Sequence, residues 1–343
     1  MPRIEFGCLP TAIGSMPQTD ADAACSQVVH YLKDIPAWPQ LPKRSFEENM
    51  NIQFSEGFPG VVVKSNGIHI DRSQAEGQPL EQFYTAYLEN DFEKYPVSAR
   101  YAAGLHTFLS RKGDMSPVAI KGQVTGPLTW GLSITDEERK AIIYDDILGD
   151  AVPKLLKLKA SWQERVLSEI CKDTIIFIDE PYMAAFGSVG VLFSKEKIVS
   201  LLEEVFEGIS GIKGIHCCGN TDWTVILETS TDILSFDAYN YAESLSLYPA
   251  EVKNFLGRNG TIAWGIVPNE AEALEKETVA SLRDRLEEAM APFTRNGVRF
   301  KQLIEQGLLT PSCTLASLAT DEAAERALEL LAELSAEIRR KYS

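Results

Sequence analysis

The chain has no apolar run near the roughly 20 residues that a bilayer-spanning helix needs, so membrane insertion is not expected. It also lacks a charged N-terminal segment followed by a long apolar stretch and a small-residue cleavage site. No secretory signal is read, and a cytoplasmic location is expected. Positive charge is scarce: 49 acidic against 33 basic residues leave a formal net charge of −16, which disfavours nucleic acid as a partner. Six cysteines (Cys8, Cys25, Cys171, Cys217, Cys218, Cys313) are too few for a disulfide scaffold in 343 residues, so reduced thiols or metal ligands are expected. Histidine is scarcer still, at four. No low-complexity segment or linker-like composition break divides the chain, which reads as one domain over residues 1–343.

Apolar residues make up 45% of the sequence, enough for a sizeable core, and from residue 115 onward short apolar runs alternate with long amphipathic segments. Strands are predicted at residues 118–124, 174–178, 214–216, 233–236, 261–266 and 307–310, each followed by a helical segment, the first of these over about 136–171. Two more candidates, residues 9–13 and 60–64, bring the count to eight parallel strands. The predicted fold is α/β, a single (β/α)8 TIM barrel. A doubly wound open sheet would more often carry a G-x-G-x-x-G turn after its first strand, and Ile13-Gly-Ser-Met-Pro-Gln18 lacks that spacing. Residues 36–59 are irregular, rich in Pro, Trp, Phe and Asn, and too long for an ordinary connection, so an ordered functional loop is expected.

Reactive groups of a β/α barrel sit where strands end and loops begin. The predicted strand ends present Gly14-Ser15, Lys121, Asp179-Glu180, His216-Cys217-Cys218, Asp237 and Cys313. His216 and Cys218, two apart on a strand, leave the same face with Cα atoms roughly 7 Å apart, close enough to share an ion. Cys217 points the other way. Cys313 follows the last predicted strand and reaches the same rim. Two thiolates and an imidazole form a soft site that favours Zn²⁺. Asp237, ending the next strand, is a candidate fourth ligand, though an aspartate there can equally cap a helix. A three-ligand site leaves a position open, and thiolate-ligated zinc is suited to holding a substrate thiol as thiolate. That chemistry points to S-alkylation.

These residues resemble a known family. Thr11-Ala-Ile-Gly-Ser-Met-Pro-Gln-Thr19 is similar to the T-x-I-G-S-F-P-Q-T opening of the catalytic barrel of cobalamin-independent methionine synthase, and Ile178-Asp-Glu-Pro181 to its I-D-E-P-A segment. Gly122-Gln-Val-Thr-Gly-Pro-Leu-Thr129 resembles its G-x-L-T-G-P-V-T stretch. His216-Cys-Cys218 and Pro311-Ser-Cys313 match the H-x-C and late P-x-C that carry that family's zinc ligands. Ile215-His-Cys-Cys-Gly-Asn-Thr221 also looks like the H-x-C-G-N-T of methylcobamide:coenzyme M methyltransferases, which share the uroporphyrinogen decarboxylase-like barrel. The resemblance implies zinc-dependent methyl transfer to a thiol. It implies homocysteine as acceptor and methionine as product, with Ile13, Gly14 and Ser15 forming the turn near the carboxylate and Asp179 near the ammonium. Glu56 is a candidate second acidic group for that ammonium. Asp237 falls where the family has a glutamate ligand. Decarboxylation is disfavoured, because the N-terminal segment offers only Arg3 before Lys33 to bind a polycarboxylate.

The chain departs from the family in two ways. It has residues for only one of the family's two barrels, and Gly265-Ile-Val-Pro-Asn269 stands where the family has a catalytic histidine. Both departures weaken a folate donor and point to methylcobalamin or a methylated corrinoid protein, since Co(I) leaves without a proton. No D-x-H-x-x-G corrinoid-binding motif is present, so the corrinoid is expected as a substrate. Residues 38–58, with Trp38, Phe46 and Phe54, are expected to form its apolar contact surface. A coenzyme M-type acceptor and a folate donor are the alternatives.

Overall fold

The structure, a computed structural model, describes residues 4–65, 67–187 and 192–342. Nine strands occur among them: β1 (Leu9–Pro10), β2 (Val61–Lys64), β3 (Gly67–Ile70), β4 (Ile120–Thr125), β5 (Thr174–Asp179), β6 (Ile212–Cys217), β7 (Ile233–Phe236), β8 (Thr261–Val267) and β9 (Gly307–Pro311). Seven form one parallel sheet in the order β1-β9-β8-β7-β6-β5-β4. Helices intervene between successive strands, as parallel pairing requires. The molecule is an α/β protein with a curled parallel sheet.

Strand alternation divides the core in two. On one face Leu9, Ile175, Phe177, Ile233, Ala263 and Leu308 pack with Ile35 and Ala119 in a small cluster enclosed by the curled sheet. The opposite face supplies Ile176, Ile178, Ile215, Leu234, Phe236, Ile262 and Trp264 to a much larger cluster under the helices. Helix Leu148–Leu167 shows why: it turns Leu148, Val152, Leu155, Leu156 and Lys159 inward at helical spacing. No helix among the described residues is long and apolar enough to cross a membrane.

Six of the eight predicted barrel strands, those from residue 118 onward, lie within a few residues of β4 to β9, and the first shrinks to the two residues of β1. The second does not belong to this sheet. Val61–Lys64 pairs antiparallel with Gly67–Ile70 as a separate hairpin. Residues 36–40, which form no strand, are instead hydrogen-bonded to both edges of the sheet. On one side Lys121 N–H donates to Pro36 O (3.0 Å) and Trp38 N–H to Lys121 O (3.3 Å); on the other Gln40 N–H donates to Gly14 O (3.1 Å) and Met16 N–H to Gln40 O (2.9 Å). Both contacts are parallel bridges. Pro36 and Pro39 cannot donate, so no continuous ladder forms.

The helix predicted over 136–171 starts at Leu148. Upstream, Asp136 accepts from the backbone of Glu138 and Lys140, and Arg139 takes a left-handed φ of 64°, which a helix does not accommodate. The 36–59 loop is ordered, with a helical turn at Met50–Gln53, but Trp38 and Phe54 are wholly buried in the core and Phe46 is only partly exposed. Of the three aromatics expected to form an apolar contact surface, Trp38 and Phe54 are thus taken up by the core, and only Phe46 faces outward.

Candidate metal centre

Along β4, β5, β6, β7 and β9 the enclosed face changes character from apolar to polar. Ala119 is followed two residues on by Lys121 and Gln123, Phe177 by Asp179, Gly214 by His216, Ile233 by Ser235, and Leu308 by Thr310. All six polar residues are buried. All but Lys121, the second residue of β4, lie toward the C-terminal ends of their strands, where the sequence predicts them for a β/α arrangement.

His216, Cys218 and Cys313 present one ligand atom each within 4.8 Å of one another. In register His216 lies between Asp179 of β5 and Ser235 of β7. Its Nδ1 lies 3.0 Å from Ser235 Oγ, while Nε2 is buried without a partner. A buried imidazole nitrogen rarely stays unpaired, and one held by the other ring nitrogen in this way has the geometry of a ligand. Cys313 is aimed by the end of the sheet. The β8–β9 register shifts between Gly265 and Val267, and Ser312 N–H donates to Val267 O at 2.7 Å. A Cβ on Gly265 would lie 3.0 Å from Ser312 Cα, so only glycine admits this close approach. The Cys313 thiol and the His216 imidazole beside Cys218 hold its pKa well below the usual thiol range, and Cys313 is correspondingly raised.

Cys217 packs with the outward-facing residues, donates to Gly219 O, and is pushed by burial up to about 12. Asp237 stands outside the cluster. Both its oxygens are occupied, by the backbone and the side-chain amide of Asn240 (2.8 Å each), and it caps helix Ala238–Ser246.

Beside the cluster Asp179 is 8% exposed, and its Oδ1 has no partner. Burial pushes this carboxyl up to about 6, opposed by Lys121 and His216. Lys121, fully buried over the Phe177 ring, donates to Ile13 O (2.7 Å) and Gln123 Oε1 (3.2 Å). Ser15 Oγ donates to Gln40 Oε1, and Gln40 in turn donates to Gln53. Gly14 has φ +150°, and a Cβ there would meet Gln123 and Gln40 at 2.7 Å. The Ile13–Ser15 turn is therefore fixed by a buried amide network. Glu56 is not drawn into it. Its carboxylate accepts from Ser98 N–H and acts electrostatically on Lys159 and Arg100.

The sequence places Lys121 at a strand end, but it is the second residue of β4, and its side chain reaches Ile13 O from there. Ser235, Gln123 and Gln40 are not legible: strand alternation puts Ser235 two residues after Ile233 and Gln123 four after Ala119 on the enclosed face, and Gln40 has not even that signal.

No family model and no curated protein matches the sequence. The fold has a solved counterpart. It resembles the structure of a B12-independent methionine synthase from Shewanella sp. W3-18-1 in complex with selenomethionine, with a TM-score of 0.57 over 97% of this chain and 98% of that one. At 15% identity the likeness is one of fold.

Proposed function

We propose that this protein is a zinc-dependent methyltransferase that moves a methyl group to the thiol of homocysteine, forming methionine. The observation that carries the proposal is the partnerless, buried His216 Nε2 beside Cys218 and Cys313. An imidazole and two thiols suit zinc, and three protein ligands leave a position for the acceptor thiol. When bound, the ion would keep that thiol deprotonated near neutral pH while leaving sulfur nucleophilic. Asp237, already engaged by Asn240, is not needed as a fourth ligand. We read residues 36–40 as the eighth position of a closed barrel, which puts the Ile13–Ser15 turn on the same rim as the ligands.

The remaining residues bind and orient the acceptor. Asp179 Oδ1, buried and unpaired, fits the ammonium of an amino-acid thiol; a sulfonate thiol such as coenzyme M offers no such group. The Ile13–Ser15 backbone, fixed by Lys121 and Gln40, receives the carboxylate. Two supports for a corrinoid donor fall away. Trp38 and Phe54 are buried, and a chain matched over 98% of its length is described as B12-independent, so single-barrel length does not require a corrinoid.

The test is methionine formation by zinc-loaded protein from homocysteine with methylcobalamin or methyltetrahydrofolate in separate reactions, and with coenzyme M replacing homocysteine. Methionine with either donor supports the proposal; methylation of coenzyme M alone, or of neither thiol, overturns it.

A further inference from the structure

Residues 122–129 and 178–181 are far apart in sequence but meet at one buried carboxylate. Glu180, with no exposed surface, accepts from Leu128 N–H (2.8 Å) through Oε1 and from Thr129 N–H (2.9 Å) and Thr129 Oγ1 (2.6 Å) through Oε2. The first N–H groups of helix Pro127–Ser133 have no partner within the helix, and a buried carboxylate needs donors, so each satisfies the other. Gly126 makes the fit possible: a Cβ there would lie 2.2 Å from Glu180 Cδ. The same residues continue into the backbone of the candidate site. Gly126 N–H donates to Asp179 O and Glu180 N–H to His216 O, both at 2.8 Å.

We infer that Glu180 is a positioning residue whose carboxylate locks the ends of β4, β5 and β6 together and so sets where Asp179 and His216 present their side chains. This inference rests on the metal site and acceptor pocket proposed above. The hydrogen bonds of the Glu180 carboxylate go to Leu128 and Thr129; it acts on the site through the two backbone bonds. A helix cap of purely local effect would hold residues 127–133 and leave those bonds unchanged.

Glu180→Gln keeps the shape but sets an amide N–H against an N–H donor. Zinc affinity, read by competition with a chelator, should fall about tenfold, as for loss of an outer partner of a metal ligand. In metal-free protein, backbone hydrogen exchange should quicken at residues 126 and 180 as well as at 128 and 129. Thr129→Val should show both effects more weakly, and Thr129→Ser, which keeps the hydroxyl, should restore them. Should Glu180→Gln fail to fold, the Thr129 pair carries the same readouts. Unchanged zinc affinity with faster exchange confined to residues 128 and 129 overturns the inference. If the unmodified protein takes up no zinc, the proposed function falls, and the exchange pattern alone decides for or against the lock.

Discussion

Replacing Ser235 by alanine removes one oxygen atom that is not itself one of the three candidate ligands. Among the described residues its hydrogen bond is to His216 Nδ1, at 3.0 Å, in a site where Ser235 is fully buried and His216 is 3% exposed. For Nε2 to offer a lone pair, Nδ1 must carry the proton and donate it to Ser235 Oγ. Without that acceptor the buried N–H is left unpaired, at a cost of about 1–3 kcal/mol, and the ring loses the bond that fixes its tautomer and tilt. Loss of such a partner lowers metal affinity by about 10–100-fold. Tenfold per 1.4 kcal/mol makes that about 1.4–2.8 kcal/mol, so the two routes agree. The assay is chelator competition on folded protein, with the melting temperature of the metal-free variant as a control. Zinc affinity equal to that of the unmodified protein, at unchanged stability, would refute the placement of Nε2 as a ligand.

Asp179→Asn should raise the KM for homocysteine by an amount equivalent to about 1.5–3 kcal/mol, the range for a hydrogen bond to a charged group, while zinc content stays intact. A loss of thermal stability with KM unchanged would make Asp179 a structural residue. Lys159 gives a pH dependence independent of the site. It is fully buried in helix Leu148–Leu167 with Nζ donating to Pro96 O, and burial, opposed by Glu56, pushes its pKa down from 10.5 to about 7. Between those values the unfolded chain binds the proton and the folded one does not, so this group makes stability rise with pH; below pH 7 both forms are protonated and the cost of burial is at its maximum. Lys159→Met should therefore stabilise the protein more at pH 6 than at pH 9, by about 2.7 kcal/mol for the two pH units between 7 and 9 at about 1.4 kcal/mol each, in urea unfolding at the two pH values. An equal effect at both would contradict it.

The sequence carries the β/α alternation clearly from β4 onward because each strand there is buried on both faces and reads as a compact apolar run. The same double burial hides which residues face inward, and so Ser235 and Gln123 look no different from surface polar residues. The second barrel position is illegible for another reason: residues 36–40 hold the edges through isolated bridges around two prolines. The apolar run at Val61–Lys64 mimics a core strand but belongs to a half-exposed hairpin. The H-x-C pair is readable because its spacing alone puts both side chains on one face, and Cys313 because a strand precedes it. Of the two roles the sequence leaves open for Asp237, the helix cap is the one the structure displays.

Metal analysis of four proteins side by side tests the centre most directly: the unmodified chain, Cys217→Ser, Cys218→Ser and Cys313→Ser, each purified with zinc and dialysed. His216, Cys218 and Cys313 converge within 4.8 Å while Cys217 packs into the outer core. One zinc per chain is expected in the unmodified protein and in Cys217→Ser, with most of it lost from Cys218→Ser and Cys313→Ser. Stoichiometric zinc retained by Cys218→Ser, or equal loss from Cys217→Ser and Cys218→Ser, would contradict the site.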